Sequence, residues 1–117
     1  MKNTIISFFF MLSLVSGCAP QPLFYWGDYS ETLYDYRKNP DQKTLDAHKK
    51  SLQDIMEQSP KKGLRVPPGV YAEYGYILIN EGKDQDGLKY LDKEQSTYPE
   101  SGVFVQRIKD EMQRGKK

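Results

Sequence analysis

Residues 68–101 read PGVYAEYGYILINEGKDQDGLKYLDKEQSTYPES, and this stretch has the clearest periodic pattern in the chain. Two helices are predicted within it, at 70–82 and 85–97, because a Gly-Lys-Asp turn separates them and Tyr-Pro ends the second. Gly75 lies in the first predicted helix and Gly87 in the second. Antiparallel helices approach closely where one of them has a small residue, so we expect a hairpin that makes contact at these glycines.

The same stretch resembles a tetratricopeptide (TPR) repeat, a helical hairpin whose faces must be covered by neighbouring repeats. The residues at its signature positions are Tyr71, Tyr74-Gly75, Leu78, Gly87, Leu91 and Pro99. Two positions depart from the usual pattern. Gly87 stands where alanine is common, and Glu94 stands where a second small residue is common, which is unfavourable for tight packing of a next repeat.

Helices are predicted on both sides of this hairpin, where they can cover its faces. Two precede it, from about Tyr29 to Lys38 and from about Asp41 to Gln58, and one follows it, from Ser101 to Gln113. The pair Asp28 and Glu31 predicts a capping box at the first helix. In the last helix, Val103, Phe104, Ile108 and Met112 are predicted to pack inward. The sequence thus predicts an all-α fold of about five helices in small TPR-like antiparallel hairpins, after a cleaved signal peptide.

Residues 1–17 have the features of an export signal. Lys2 supplies the positive start, residues 5–15 (IISFFFMLSLV) are apolar, and small residues precede Cys18. The apolar run is too short to cross a bilayer, which favours a cleaved signal over a membrane anchor. If Cys18 is not a modification site, the alternatives are an ordinary signal peptide with a chance cysteine, or a buried free thiol.

The segment Val15-Ser16-Gly17-Cys18 resembles the lipobox of bacterial lipoproteins. The resemblance implies that Cys18 is the lipid attachment site, acylated with diacylglycerol, and that the chain is cut just before it. Residues 18–23 then form a lipidated tether and residues 24–117 the TPR-like domain. Several acyl chains hold a protein stably on a membrane. Ala19 after the cysteine resembles the rule for transfer to the outer membrane in enteric-type bacteria, so we expect the periplasmic face of that membrane.

Composition excludes several classes of site. The chain has 17 Lys and Arg against 16 Asp and Glu, so nothing indicates a nucleic-acid partner. A single cysteine cannot form an internal disulfide or a thiolate metal site. The only histidine, His48, shares a predicted helix face with Leu45 and Leu52 and is expected to pack rather than bind metal or act as a base.

Catalytic motifs are missing from the sequence. Residues 84–87 (DQDG) resemble part of a calcium loop, but Gln95 stands where the completing glutamate is expected, so we interpret them as the turn between helices. The sequence has neither a recognisable Ser/His/Asp set nor a glycine-rich phosphate loop. We therefore expect no enzymatic activity, no cofactor and no metal.

A second resemblance rests on the aromatic run Tyr25-Trp26-Gly27-Asp28-Tyr29, followed by Leu33-Tyr34, Tyr36 and Pro40. These residues, with the repeat that follows, are similar to a family of small bacterial outer-membrane lipoproteins with no assigned function. The resemblance implies that the gene lies beside those of a curli-secretion-channel-like lipoprotein and another small lipoprotein. It therefore implies a part in an envelope assembly.

Two groups of residues are candidates for contact with a partner. In TPR-like pairs the first helix lines the concave surface, and its non-core positions here are Ala72, Tyr76, Ile79 and Asn80. Tyr76 and Asn80 share a face at i, i+4 and offer a ring and an amide. The alternative is that Tyr76 and Ile79 pack against the preceding helix.

The second group is Tyr25, Trp26 and Tyr29, since amphipathic rings suit a protein partner or a membrane interface. The alternative is that these rings cover the first helix pair and complete a small core. Two functions remain open. One is a lipid-tethered TPR-like module that binds another envelope protein, such as the curli-secretion-channel-like lipoprotein. The other is a structural or ligand-binding lipoprotein that contacts peptidoglycan, glycan or lipid. The sequence predicts no oligomeric state.

Overall fold

A computed structural model describes residue 17 and residues 19–115, and this part of the chain is helical without any strand. It consists of α1 (Tyr29–Lys38), α2 (Gln42–Lys61), α3 (Val70–Asn80), α4 (Asp84–Thr97), a short 3-10 turn (Pro99–Ser101) and α5 (Gly102–Arg114). The predicted all-α class with five helices is confirmed. None of the described helices is both long and apolar enough to cross a membrane. Residues 1–16 of the predicted export signal, and the predicted lipid attachment site Cys18, lie outside the described residues.

The predicted capping box at α1 is wrong. Asp28 makes no side-chain bond to the helix, because its backbone (φ −92°, ψ 19°) has already turned and lacks the extended conformation of a capping residue. A capping box forms instead at α2, where Asp41 is extended (φ −121°, ψ 173°) and accepts from the Thr44 amide at 2.8 Å. Thr44 in turn accepts from the Asp41 amide at 3.2 Å. The hydrogen bond from the Thr44 amide also lowers the pKa of Asp41.

Two helices end two or three residues from the predicted position, and a glycine closes each. Helix α2 continues through Pro60 to Lys61, and Gly63 then adopts φ +69° while the Leu64 amide donates to the Ser59 carbonyl at 2.9 Å. Helix α3 stops at Asn80, where Gly82 adopts φ +80° in the same arrangement. Such left-handed glycines satisfy the free carbonyls of a last turn, so the glycine position sets the helix end.

The α3–α4 hairpin is a backbone contact between two glycines. A Cβ atom on Gly75 would lie 2.7 Å from the Gly87 carbonyl oxygen, and one on Gly87 would lie 2.6 Å from that of Gly75. The same Cβ on Gly87 would also lie 2.5 Å from Ile79 Cγ1. No side chain fits between the two helices at this point, so the predicted contact at these glycines is confirmed.

Helix α3 is the central helix, because it packs on both sides. One cluster joins it to α2 and the following linker: Leu52, Ile55, Val66, Val70, Tyr71, Tyr74, Ile77 and Leu78. A second cluster joins it to α4 and α5: Ala72, Leu91, Val105 and Ile108, with Ile79 and Leu88 packed against them. Ala72 and Ile79 were expected outside the core, and this expectation is wrong because a helix covered on two sides buries more than one stripe.

Glu94 has a structural role that its position in the sequence did not indicate. Its side chain is 1% exposed and accepts hydrogen bonds from the amides of Gly69 (2.8 Å) and Ala72 (3.4 Å) at the start of α3. A carboxylate there satisfies free amides and faces the positive end of the helix dipole. The expected obstacle to packing of a next helix is absent, since Val105 of α5 packs in the same cluster as Leu91 of α4.

Candidate interaction groove

A concave groove lies between α1, α3 and α5, and we call it the α1–α3–α5 groove. It contains two adjoining cavities of about 470 and 520 Å³, whose shared walls are Leu33, Arg37, Glu73 and Tyr76. The first cavity extends to α5, where Phe104, Arg107, Ile108 and Glu111 line it. The second extends toward α2 and includes Tyr36, Leu45, His48 and Asn80. Helices form its walls, as in many ligand-binding clefts.

Two exposed rings stand in this groove on different helices. Tyr76 of α3 is 45% exposed and Phe104 of α5 is 54% exposed. Asn80, one turn after Tyr76, is also exposed, so these two predicted residues line the groove together. The alternative was that Tyr76 and Ile79 pack against the preceding helix. Only Ile79 packs inward, and it packs against α4.

Phe104 is a groove residue that the sequence pattern missed. It was expected to pack inward with Val103, but both are exposed. Ile108, which was expected to pack inward, is buried, and its buried neighbour on the same face is Val105, which was not predicted. The spacing of Val105 and Ile108 at i, i+3 was the available signal, because it defines one helix face. Choosing that face places Phe104 on the side of α5 that lines the groove.

A chain of polar side chains joins α1, α2 and α3 at the groove floor. His48 of α2 is 1% exposed, and its Nε2 lies 2.8 Å from Glu73 Oε1 of α3. The Tyr29 hydroxyl of α1 donates to Glu73 Oε2 at 2.8 Å. Thr32 Oγ1 of α1 lies 2.9 Å from His48 Nδ1. Both Glu73 oxygens and both His48 nitrogens are therefore occupied within the protein, and we call these four residues the polar network.

The pKa shifts show which protons the polar network holds. Burial raises the pKa of Tyr29 to about 12, and the hydrogen bond to Glu73 adds to the effect, so its phenol remains a donor. Burial alone raises the pKa of Glu73, but the hydrogen bonds from His48 and Tyr29 outweigh it and lower the pKa. Glu73 is thus a carboxylate that accepts two hydrogen bonds, and His48 donates through Nε2–H.

The polar network has the order carboxylate, imidazole, hydroxyl, which the sequence could not reveal because its members lie on three helices. Thr32 Oγ1 is also within hydrogen-bond distance of the Asp28 and Tyr29 carbonyl oxygens, at 3.1 and 3.2 Å. The hydroxyl is therefore held by its own helix. His48 is buried, as predicted, and both of its ring nitrogens have partners within the protein. Within residues 19–115 no group of three His, Cys, Asp or Glu side chains is placed to hold a metal ion.

The predicted aromatic patch separates into inward and outward rings. Tyr25 donates to Asp54 of α2 at 2.8 Å, and Tyr25 and Tyr29 both pack against the first core cluster. That hydrogen bond raises the pKa of Tyr25. Trp26 is 41% exposed, with its ring 5.2 Å from that of Tyr29. The alternative of core packing thus describes the two tyrosines, while Trp26 remains accessible.

Comparison with known proteins places the chain in a family. A family model described as "Domain of unknown function (DUF4810)" matches residues 23–108, from the aromatic run into α5. The chain belongs to this family. A search of curated proteins gave no match, and neither did a search of solved structures.

Proposed function

We propose that this member of the family is a lipid-anchored envelope protein that binds another protein in the α1–α3–α5 groove, as a TPR-like interaction module. One observation carries the proposal: the exposed rings of Tyr76 and Phe104 belong to two different helices and line one cavity of about 470 Å³. Large aromatic side chains in a concave site are typical of interface hot spots. Asn80 adds an amide that can bond a peptide backbone.

The cellular setting follows from the N-terminus. Acylation at Cys18 holds the helical domain close to a bilayer, and transfer to the outer membrane leaves it on the periplasmic face. The partner is then another envelope protein. The curli-secretion-channel-like lipoprotein implied by the family resemblance is the first protein to test.

The proposal is tested by photo-crosslinking in intact cells, with a photoreactive residue placed singly at positions 76, 104 and 34 of the full-length chain. Tyr34 is the matched control, because it is 62% exposed but does not line the groove. We expect the partner to crosslink from 76 and 104 and not from 34. Co-purification with that partner should fall about tenfold in Tyr76→Ala, and more with Phe104→Ala added, at unchanged helical signal. Crosslinking from 34 alone would move the site out of the groove.

The anchor has a separate test. A mass spectrum of the membrane-extracted protein should show a chain that begins at Cys18 and carries acyl groups. An unmodified Cys18, or a retained 1–17 segment, would refute the lipoprotein assignment and leave the groove proposal to stand by itself.

The second candidate is a structural or ligand-binding lipoprotein that contacts peptidoglycan, glycan or lipid. A cavity of about 830 Å³ between α2 and α4 favours it, since Tyr74, Tyr90 and Lys93 are among its lining residues. Equilibrium binding to purified cell-wall fragments and to lipid vesicles tests this candidate. Binding that Lys93→Gln weakens would support it, and no binding to either preparation would count against it.

A further inference from the structure

We infer that the α1–α3–α5 groove recognises an acidic segment of its partner, in which carboxylates flank a large apolar side chain. The inference rests on the proposed function, because it assumes that the groove binds protein, and it adds the chemistry of the bound segment. It is carried by two arginines and two rings that line the same cavity.

The arginines are Arg37 of α1 and Arg107 of α5, and both are exposed. Neither makes a hydrogen bond or an ion pair with any residue of the described part of the chain. Basic residues nearby behave differently, since Lys49 and Lys83 both pair with Glu81, at 2.7 and 2.9 Å. A guanidinium has a planar set of donors that matches a carboxylate in a bidentate pair, and these two remain free for one.

The carboxylates of the cavity leave the hydrogen-bond donors of these arginines unpaired within the described residues. Glu73 lines the cavity with Arg37, and the charge of Arg37 contributes to the lowered pKa of Glu73, but both Glu73 oxygens already accept hydrogen bonds from His48 and Tyr29. Glu111 is the other acid in the lining. Glu73 keeps its negative charge, so the charges of the two arginines and the two carboxylates in the lining balance, but the acceptor oxygens of Glu73 are already occupied. The groove is therefore complementary to a segment that brings further carboxylate acceptors to the unpaired donors of Arg37 and Arg107.

An apolar anchor fits beside the two arginines. Leu33, Tyr76 and Phe104 line the same cavity, and the two rings are about half exposed. A ligand that covered these rings would also exclude water from neighbouring charge pairs, which strengthens them. The bound segment should therefore place a Phe, Leu or Met side chain between carboxylates.

A polyanion or a charged membrane surface fits the groove less well. Both require a broad basic face, whereas the chain has a formal net charge of only +1 and the groove offers just two free arginines beside aromatic rings. Charge and rings together favour a peptide segment. A second copy of this chain is the remaining alternative, and the experiment below distinguishes it.

The experiment selects ligands for the full-length chain, purified in detergent micelles, from a random peptide library displayed on phage. We expect the selected peptides to be enriched in Asp and Glu beside a large apolar residue. Affinity for a selected peptide should fall about fivefold in Arg37→Gln and in Arg107→Gln, and about twentyfold in the double variant. A variant with Arg→Lys at both positions should have an affinity between those of the wild type and the double Arg→Gln variant, because the charge stays and the bidentate geometry is lost. Lys50→Gln is the matched control, since it removes an exposed charge outside the groove.

Each outcome decides the inference. Peptides without an excess of acidic residues, or affinities that the arginine variants leave unchanged, would overturn it, while loss of binding in Tyr76→Ala would keep the proposed function. Peptides that bind regardless of Tyr76 and Phe104, or a failure to select any, would count against both. Sedimentation of the free protein completes the test, because a dimer that Phe104→Ala dissociates would identify a second copy as the occupant and overturn the acidic segment.

Discussion

Helices α3 and α4 are held together by direct backbone contact, whereas α1 is attached to the rest of the fold by side chains. Gly75 and Gly87 bring two backbones into direct contact, and α3 buries seven residues from end to end. Helix α1 has no buried residue at all, and the polar network with half-buried rings connects it to α2 and α3.

The difference explains where the groove lies. A backbone contact leaves no space between helices, and its geometry follows from steric exclusion alone. Long polar side chains such as Glu73 bridge a wider gap, and the space beside them forms the α1–α3–α5 groove. Atoms added at the hairpin contact should therefore lower the free energy of unfolding. At the attachment of α1, the free energy of unfolding should instead fall when hydrogen bonds are lost and should depend on pH.

The largest effect is expected from Gly75→Ala. The added Cβ would lie 2.7 Å from a backbone oxygen that cannot rotate away, so the hairpin must separate. We expect a loss of about 3 kcal/mol in the free energy of unfolding, despite a gain of about 1 kcal/mol in helix propensity. Urea unfolding followed by circular dichroism measures it. Gly102→Ala is the control, because its nearest neighbour at 3.3 Å is the mobile end of Gln95, and a loss as large there would contradict the steric explanation.

The next effect concerns Glu94 of α4, whose side chain accepts hydrogen bonds from amides at the start of α3 in the same hairpin. Glu94→Ala leaves the amides of Gly69 and Ala72 without an acceptor in a buried site, and we expect a loss of about 2 kcal/mol. Glu94→Gln keeps one acceptor oxygen and should lose about half as much. Thermal or urea unfolding checks both, with the exposed Glu100→Ala as the control. Equal stability of Glu94→Ala and the wild type would show that water replaces the carboxylate.

The polar network gives a pH-dependent effect. The folded pKa of Glu73 is below its ordinary value of 4.5, so its carboxylate stabilises the fold above that pH, and the contribution is lost as the pH falls through the folded value. Glu73→Gln should lose about 1.5 kcal/mol at neutral pH, because an amide cannot accept from both His48 and Tyr29. The difference from the wild type should shrink as the pH drops below 4.5.

Urea unfolding at a series of pH values measures this convergence. Glu57→Gln is the control, since Glu57 is exposed and pairs only with Lys61 on its own helix. A stability difference between Glu73→Gln and the wild type that stays constant through the acid range would contradict the ionised state of Glu73. Gly75→Ala should lose the same free energy of unfolding at each pH, because its effect is steric.

Local patterns predicted the hairpin, and they failed where the outcome depended on distant residues. Gly75 and Gly87 lie within two successive helices and are close together in the sequence, so periodicity was sufficient. Asp28 and Asp41 are both acids ahead of a helix, but the backbone entering each helix decides which one caps it. That backbone is set by packing of the preceding segment, which the sequence pattern does not encode.

The groove was partly predictable for a similar reason. Helical phase placed Tyr76 and Asn80 on one face, and that face does line the groove. That Arg37 has no carboxylate partner among the described residues could not be predicted, because Glu73 is engaged by His48 and Tyr29, which lie 25 and 44 positions away from it in the chain. Hydrogen bonds among side chains of three helices can be identified only from the tertiary structure.

The smallest effect tests whether the hydroxyl at the end of the polar network contributes to the attachment of α1. Thr32 and Thr97 both bond a carbonyl oxygen four residues back on their own helix, at 3.1 and 2.8 Å, but only Thr32 also meets His48. Thr32→Val keeps the shape of the side chain and leaves Nδ1 without a partner, so we expect a loss of about 1 kcal/mol against almost none in Thr97→Val, measured by urea unfolding. Equal losses would mean that the contribution of Thr32 to stability comes from its hydrogen bond to the backbone rather than from its contact with His48 of α2. Helix α1 would then depend on Tyr29 and Glu73 alone.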